Sequence, residues 1–171
     1  MSEEDLQHPV VIVCGGPAPD GKAIEYIPIP STVIAVDSGL DHARNLELYP
    51  DLLIGDLDSI SSSGLHWVEK QGIDIKKFPS DKEKSEFELA LDYARGISNR
   101  LFVIGSDSGR VDQLLGMIAS LGSVTPVFNS CHALLGSTYF TFTNGTADVY
   151  RNNGVIVSVY SMGGAAKGVS L

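Results

Sequence analysis

The sequence predicts an α/β fold with a mostly parallel sheet and flanking helices, followed by a small antiparallel all-β unit. Three features predict it. Short runs of β-branched and aliphatic residues recur through the first two-thirds of the chain. Amphipathic helical patterns lie between these runs. After about Val124 the helical patterns stop and turn signals crowd together. Continuous apolar runs suit strands covered on both faces, as in a parallel sheet. Strand alternating with helix implies right-handed crossovers.

The first strand is expected at residues 9–14 (PVVIVC) and the second at residues 32–36 (TVIAV). A short third lies at residues 52–55, a fourth at 73–78 and a fifth at 101–105 (LFVIG). Phe87, Ala90, Leu91 and Ala94 recur at helical spacing within residues 83–95, and Val111, Leu114, Leu115 and Ile118 do so within 110–121. From residue 130 onward, residues 139–143, 147–150 and 155–160 read as short strands, separated by Asn144-Gly145 and Asn152-Asn153-Gly154. Asn-Gly between such runs is a hairpin signal. The expected division is therefore an α/β domain over residues 1–130 and a partial all-β domain over 131–171.

Composition excludes several function classes. A formal charge of −9 argues against nucleic acid or an anionic membrane surface as a partner, since both select basic footprints. No apolar run approaches the roughly 20 residues needed to span a bilayer. The acidic start, Met1-Ser2-Glu3-Glu4-Asp5, lacks the basic character of a signal peptide, so a cytoplasmic location is expected. Cys14 and Cys131 form no Cys-x-x-Cys pair and read as buried free thiols. The four histidines show no metal spacing. Leu65 and Trp67 sit in a helical pattern and read as core.

The informative residues are acids where strands end, because ligands of open α/β sheets bind outside the carboxyl ends of the strands. Asp37 ends the second strand, ahead of Ser38-Gly39. Asp56 and Asp58 follow the third, in Gly55-Asp56-Leu57-Asp58-Ser59. Asp81 stands before a helix, and Asp107 and Asp112 follow the fifth strand. Carboxylates converging on one rim repel each other and persist best around a hard cation, and magnesium takes oxygen ligands while bridging substrate phosphates. Asp56 and Asp58, two apart on an extended segment, would point to one side and clamp such a cation. Residues 106–110 form a Ser/Gly turn entering a helix, where free amides and Arg110 suit a phosphate.

Each acid also has a structural reading. Asp37 can cap the following helix. Ser80-Asp81-Lys82-Glu83 fits a capping box, and Asp112 can complement a helix dipole. Asp107 can be a turn residue. Gly15-Gly16-Pro17 matches neither a dinucleotide fingerprint nor a Walker motif. The functional reading gains weight because acidic clusters recur at successive strand ends of one sheet.

In order and spacing, these motifs resemble those of the thiamine pyrophosphokinases. The resemblance rests on Gly15-Gly16, Asp37-Ser38-Gly39, Pro50-Asp51, residues 55–59, Asp81-Lys82-Glu83-Lys84-Ser85-Glu86 and Gly109-Arg110-Val111-Asp112-Gln113. It implies an α/β domain, a C-terminal β-sandwich, a homodimer, and transfer of diphosphate from ATP to thiamine with release of AMP. By this resemblance Asp56, Asp58, Arg110 and Asp112 are catalytic, and Asp56, Asp58 and Asp81 hold magnesium. Asp37, Gly39, Asp81, Lys82, Ser85, Glu86, Gly109 and Gln113 bind ATP or substrate.

The sequence departs from the family pattern in three places. Glu83, Ser85 and Glu86 stand where Asp, Thr and Asp are usual, and Asp41 replaces the usual Asn. Family members carry a Gly-Leu-x-Trp/Tyr-Pro-Leu segment and further strands beyond the point matching Gly168, so the C-terminal domain is expected to be incomplete. Two other functions fit some of the residues. Asp56-Leu57-Asp58 resembles the nucleophile motif of haloacid dehalogenase-like phosphatases, with Asp56 phosphorylated, although that motif normally follows the first strand. A nucleotide-binding relative without turnover is the other.

Overall fold

The computed structural model describes residues 8–18, 25–78, 83–148 and 156–170. Its centre is a seven-stranded sheet. The strands are β1 (Val10–Val13), β2 (Thr32–Val36), β3 (Leu52–Gly55), β4 (Asp74–Lys77), β5 (Arg100–Gly105), β6 (Ser130–Leu135) and β7 (Thr138–Phe142). The helices are α1 (Gly39–Asn45), α2 (Ser62–Gln71), α3 (Glu86–Ala94) and α4 (Val111–Val124). The spatial order is β4-β3-β2-β1-β5-β6-β7. Six strands are parallel and β7 runs antiparallel to β6.

β1 and β3 are apolar throughout, and β2 and β5 are apolar after Thr32 and Arg100, as suits strands covered on both faces. Ile12, Ile34, Leu53, Leu101 and Ile104 are almost wholly excluded from water. On one face Ala90, Leu91, Leu121 and Val124 of α3 and α4 pack on Ile12, Val103 and Leu135. On the other, Ala43 of α1 meets Val11, Val33 and Phe102, while Leu40 and Val68 meet Ala35 and Leu53. Burying a side chain of this size contributes about 1.5–3 kcal/mol.

The chain runs outward from β1 to β4 and then returns to place β5 on the other side of β1. The carboxyl ends of β1 and β5 therefore diverge into the crevice where open α/β sheets take their ligands.

Two expectations change. Residues 130–142 do not open a separate sandwich. Residues 130–135 pair in register with β5, Arg100 with Ser130 through Gly105 with Leu135, and β7 folds back on β6. Ala133, Leu134 and Leu135 are fully or almost fully buried in the same core. The sheet thus runs past residue 130, and among the described residues no strand follows Phe142. Residues 156–160, expected as a strand, carry no regular structure, with Ile156 and Tyr160 highly exposed. Residues 149–155 lie outside the described residues.

The second change is the start of α3, at Glu86 rather than near residue 83. Ser85 is its N-cap and forms a full capping box with Glu88. The Ser-x-x-Glu spacing occurs twice, at residues 80–83 and 85–88, and the second satisfies the first turn of the helix.

Candidate active site

The carboxyl ends of β1, β2, β3 and β5 bring four loops to one rim. Close backbone packing makes this possible. A Cβ on Gly39 would collide with the Val13 carbonyl oxygen, so only glycine lets the turn after β2 lie on the end of β1. The Asp37 carboxylate occupies the space where a Cβ of Gly55 would stand, which seats it against the end of β3. Asp37 itself has φ of 46°, a left-handed conformation uncommon outside glycine. Its N–H donates to the Ile54 carbonyl at 3.0 Å and its own carbonyl accepts from Leu40 N–H at 3.1 Å. The strained residue thus joins β3 to the first turn of α1.

After β3 the chain does not stay extended, as the Asp56-x-Asp58 spacing suggested. Leu57 has φ of 72° and turns the backbone so that Asp58 N–H donates to Asp56 Oδ1 at 3.1 Å. The turn brings the two carboxyl groups together. Asp58 titrates above the ordinary carboxyl range, first because of its side-chain hydrogen bond with Asp56, then from the Asp56 charge, desolvation and the Glu86 charge. Glu86, first residue of α3, therefore faces the same pair. Two carboxyls that share a proton are an oxygen-rich donor set that suits a hard divalent cation in the proton's place. Among the described residues no group of three or more His, Cys, Asp or Glu has metal-holding geometry. A cation held here would complete its shell with water and substrate oxygens.

The loop after β5 closes the other side. Ser106 Oγ accepts from Ser108 N–H at 3.0 Å and donates to the Ser108 carbonyl at 3.1 Å, which tightens the turn. Gly109 has φ of 96°, which a side chain would resist, and it leads into the N-terminus of α4. Arg110 grips Asp112 through two hydrogen bonds, Nε to Oδ1 at 3.1 Å and Nη2 to Oδ2 at 2.5 Å. This fork holds the Asp112 carboxyl below the ordinary range and raises the guanidinium. Both side chains are about two-thirds exposed, so the pair can exchange for a ligand oxygen at little cost.

Not every expected residue joins the rim in an expected role. Ser85 Oγ caps α3, accepting from Glu88 N–H at 3.2 Å and donating to Glu88 Oε2 at 2.9 Å. Asp107 turns toward the β6–β7 connection, with its carboxylate over Gly136. Gln113 is exposed in the first turn of α4. Asp81 and Lys82 lie outside the described residues. Cys14 is buried beside Asp37, and burial followed by that charge pushes its thiol up to about 12. Burial alone pushes Cys131 up to about 12. Both cysteines are free and buried, as expected.

Residues that sequence reasoning passed over also build the rim. His42 Nε2 donates to the Gly16 carbonyl at 2.8 Å and ties α1 to the loop after β1. Asp41, noted only as a departure from the family pattern, bonds Arg44 at 3.4 Å and accepts from Ser61 Oγ at 3.1 Å. No sequence motif marks the His42 contact, because its partner is a backbone carbonyl 26 residues away.

A model of the thiamin pyrophosphokinase catalytic domain matches residues 25–134, which include β2 to β5 and all but the last residue of β6. The chain belongs to this family. A thiamine pyrophosphokinase of Bacillus subtilis is 30% identical over 116 residues, covering 64% of this chain and 52% of that protein. The crystal structure of the Bacillus subtilis thiamine pyrophosphokinase superposes with a TM-score of 0.62 at 26% identity, covering 73% of this chain and 59% of that one. The fold extends to the thiamin pyrophosphokinase of Candida albicans, with a TM-score of 0.59 at 14% identity over 75% of this chain and 58% of that one. The chain thus spans between half and three-fifths of the length of these relatives. Among the described residues no helix is long and apolar enough to cross a membrane.

Proposed function

We propose that this chain carries the catalytic α/β part of a thiamine diphosphokinase, which transfers the diphosphate of magnesium-bound ATP to the hydroxyl of thiamine and releases AMP. The observation that carries the reading is the Asp56–Asp58 pair, facing Glu86, at the carboxyl end of β3 in a chain of this family.

Asp56 and Asp58 would hold magnesium, with Asp81 of the family motif completing the set. A cation held there would supply charge neutralisation for the phosphates. The protein's own groups do the positioning. Arg110 releases Asp112 and turns its fork onto the transferred diphosphate, since a guanidinium binds phosphate oxygens bidentately as it binds a carboxylate. The amides around Gly109 and the N-terminus of α4 add donors to the same oxygens. Asp112, freed from Arg110, would orient ligands or magnesium. Asp37 and Gly39 shape the crevice floor. Transfer of this kind depends mainly on alignment and charge stabilisation rather than on covalent chemistry by the protein. The same reading carries the homodimer and the cytoplasmic location expected from the sequence.

The test is AMP release from ATP and magnesium, with and without thiamine. The expected result is thiamine-dependent AMP from the parent chain and a loss of about a hundredfold or more in Asp56→Ala, the order seen when a group that stabilises transition-state charge is removed. ATP binding without AMP release from the parent would overturn the catalytic reading and leave a nucleotide-binding relative.

A further inference from the structure

At the opposite end of the sheet from the Asp56–Asp58 rim lies a cavity of about 290 Å³, lined at the amino ends of β1, β5 and β6. Strand alternation builds it. Along β5 the side chains of Arg100, Phe102 and Ile104 share one face, and in register with them His132 and Leu134 of β6 share the same face. The helical cover of this face comes from α1 and α2, at Ala43 and Val68, and the rings of Tyr26 and Tyr139 stand over the β5–β7 half instead. Tyr139 lies 6.0 Å from Phe102, 6.2 Å from Tyr26 and 5.6 Å from the His132 ring, centre to centre.

The polar wall is cationic in a chain of net charge −9. Arg100 projects into the cavity, and its Nε is buried without a hydrogen-bond partner. His8 and His132 add two imidazoles, and among the described residues no carboxylate lines the space. His8 Nδ1 donates to the Ile29 carbonyl at 3.0 Å and His132 Nδ1 pairs with Thr141 Oγ1 at 3.2 Å, contacts that orient both rings. A buried guanidinium N–H left unsatisfied is costly, and such groups normally meet an acceptor.

We propose that this cavity binds a small planar aromatic anion, its ring among Tyr26, Tyr139 and Phe102 and its charged group on Arg100. The volume is at the lower end for a ligand pocket and suits one ring with one charged substituent. The polar and aromatic parts reinforce each other: ring stacking supplies contact area and the guanidinium supplies orientation. The site is independent of the proposed transferase reaction, since it shares no residue with the rim.

The probe is phenyl phosphate, titrated into the full ¹⁵N-labelled chain and followed by amide and Arg Nε shifts. Saturable shifts are expected at residues 100–102 and 130–132 and at Arg100 Nε. Inorganic phosphate alone and phenol alone should bind more weakly than the conjugate. Arg100→Met should weaken binding by about tenfold or more, the cost of one charge-assisted contact, and Tyr26→Ser at the exposed rim should weaken it less. Shifts confined to residues 56–58 and 106–112, the absence of saturation, or parental affinity in a folded Arg100→Met chain would each overturn the proposal. If Arg100→Met does not fold, the location of the parent's shifts and the Tyr26→Ser affinity decide.

Discussion

Asp58 shows how one backbone angle sets the chemistry of a side chain. Leu57 in the left-handed region turns Asp58 back on Asp56, and the hydrogen bond so made raises the Asp58 carboxyl. The sign of the consequence follows from linkage. A carboxyl raised in the folded state favours folding below its unfolded value, and that contribution is lost as pH rises through the raised value. Near neutral pH the charged Asp58 carboxylate therefore opposes folding, and a cation held by the pair would offset that cost. Asp58→Asn is expected to raise the melting temperature at pH 7.5 in EDTA, and magnesium is expected to stabilise the parent more than the variant. A thermal melt of both chains with and without magnesium measures this, and equal magnesium shifts would remove the pair as a cation site. Arg110 and Asp112 behave in the opposite sense. The lowered Asp112 carboxyl supports the folded state above its unfolded value and ceases to do so as pH falls through the lowered one. Because both side chains are exposed, the loop loses little when Arg110 changes partner.

Among the elements, α3 gains most from local chemistry. Its nine residues are too few to hold a helix alone, so the cap and the buried stripe of Ala90, Leu91 and Ala94 share the task. Ser85 satisfies the Glu88 amide, and Glu88 reaches back to the Ser85 N–H at 2.9 Å. Ser85→Ala should cost about 1 kcal/mol of stability, and Ser85→Thr should restore most of it, as read by urea unfolding. If Ser85 also touches substrate, Ser85→Ala will reduce turnover by more than the folded fraction allows. α3 starts at Glu86, and that start puts the Glu86 carboxylate beside Asp58, so the position of the cap has a consequence at the rim. At the sheet's edge, β4 is exposed along its length and carries Lys76 and Lys77, charges that discourage pairing with another chain. Lys76 also lies 4.1 Å from the centre of the Tyr93 ring, which fastens the edge strand to α3.

For the molecule as a whole, β1 is the axis. It pairs with β2 on one side and β5 on the other, and all four of its residues are fully buried. Ile12 packs in the core cluster shared with α3 and α4. Ile12→Ala should lose about 2–5 kcal/mol, measurable by denaturant unfolding, and should loosen both halves of the crevice together. A loss well under 1 kcal/mol would show that the two sheet halves are stabilised independently.

Sequence alone determined the strand sequence from β1 to β5, the core-facing residues of α3 and the acids at the strand ends; of the stripe expected in α4, Leu114 and Ile118 pack on the core, while Val111 and Leu115 are exposed. These are local in cause. Apolar period, capping residues and the position of an acid after an apolar run all act within one turn or one strand, so they are readable without partners. Only the tertiary structure decided the fate of residues 130–142. Their alternating pattern and nearby Asn-Gly suit a free-standing hairpin, and pairing with β5, a contact between distant parts of the chain, made them the end of the main sheet. The site divides in the same way. That Asp56, Asp58, Arg110 and Asp112 belong to one rim was legible in their spacing. That Asp58 shares a hydrogen bond with Asp56, that Glu86 faces them, and that His42 holds the loop after β1 came from a left-handed backbone angle, a displaced helix start and a side-chain-to-backbone bond. None of these leaves a periodic trace in sequence. The aromatic, cationic cavity is the extreme case, because Arg100, His132 and Tyr139 lie on three strands and only the register of the sheet brings them together.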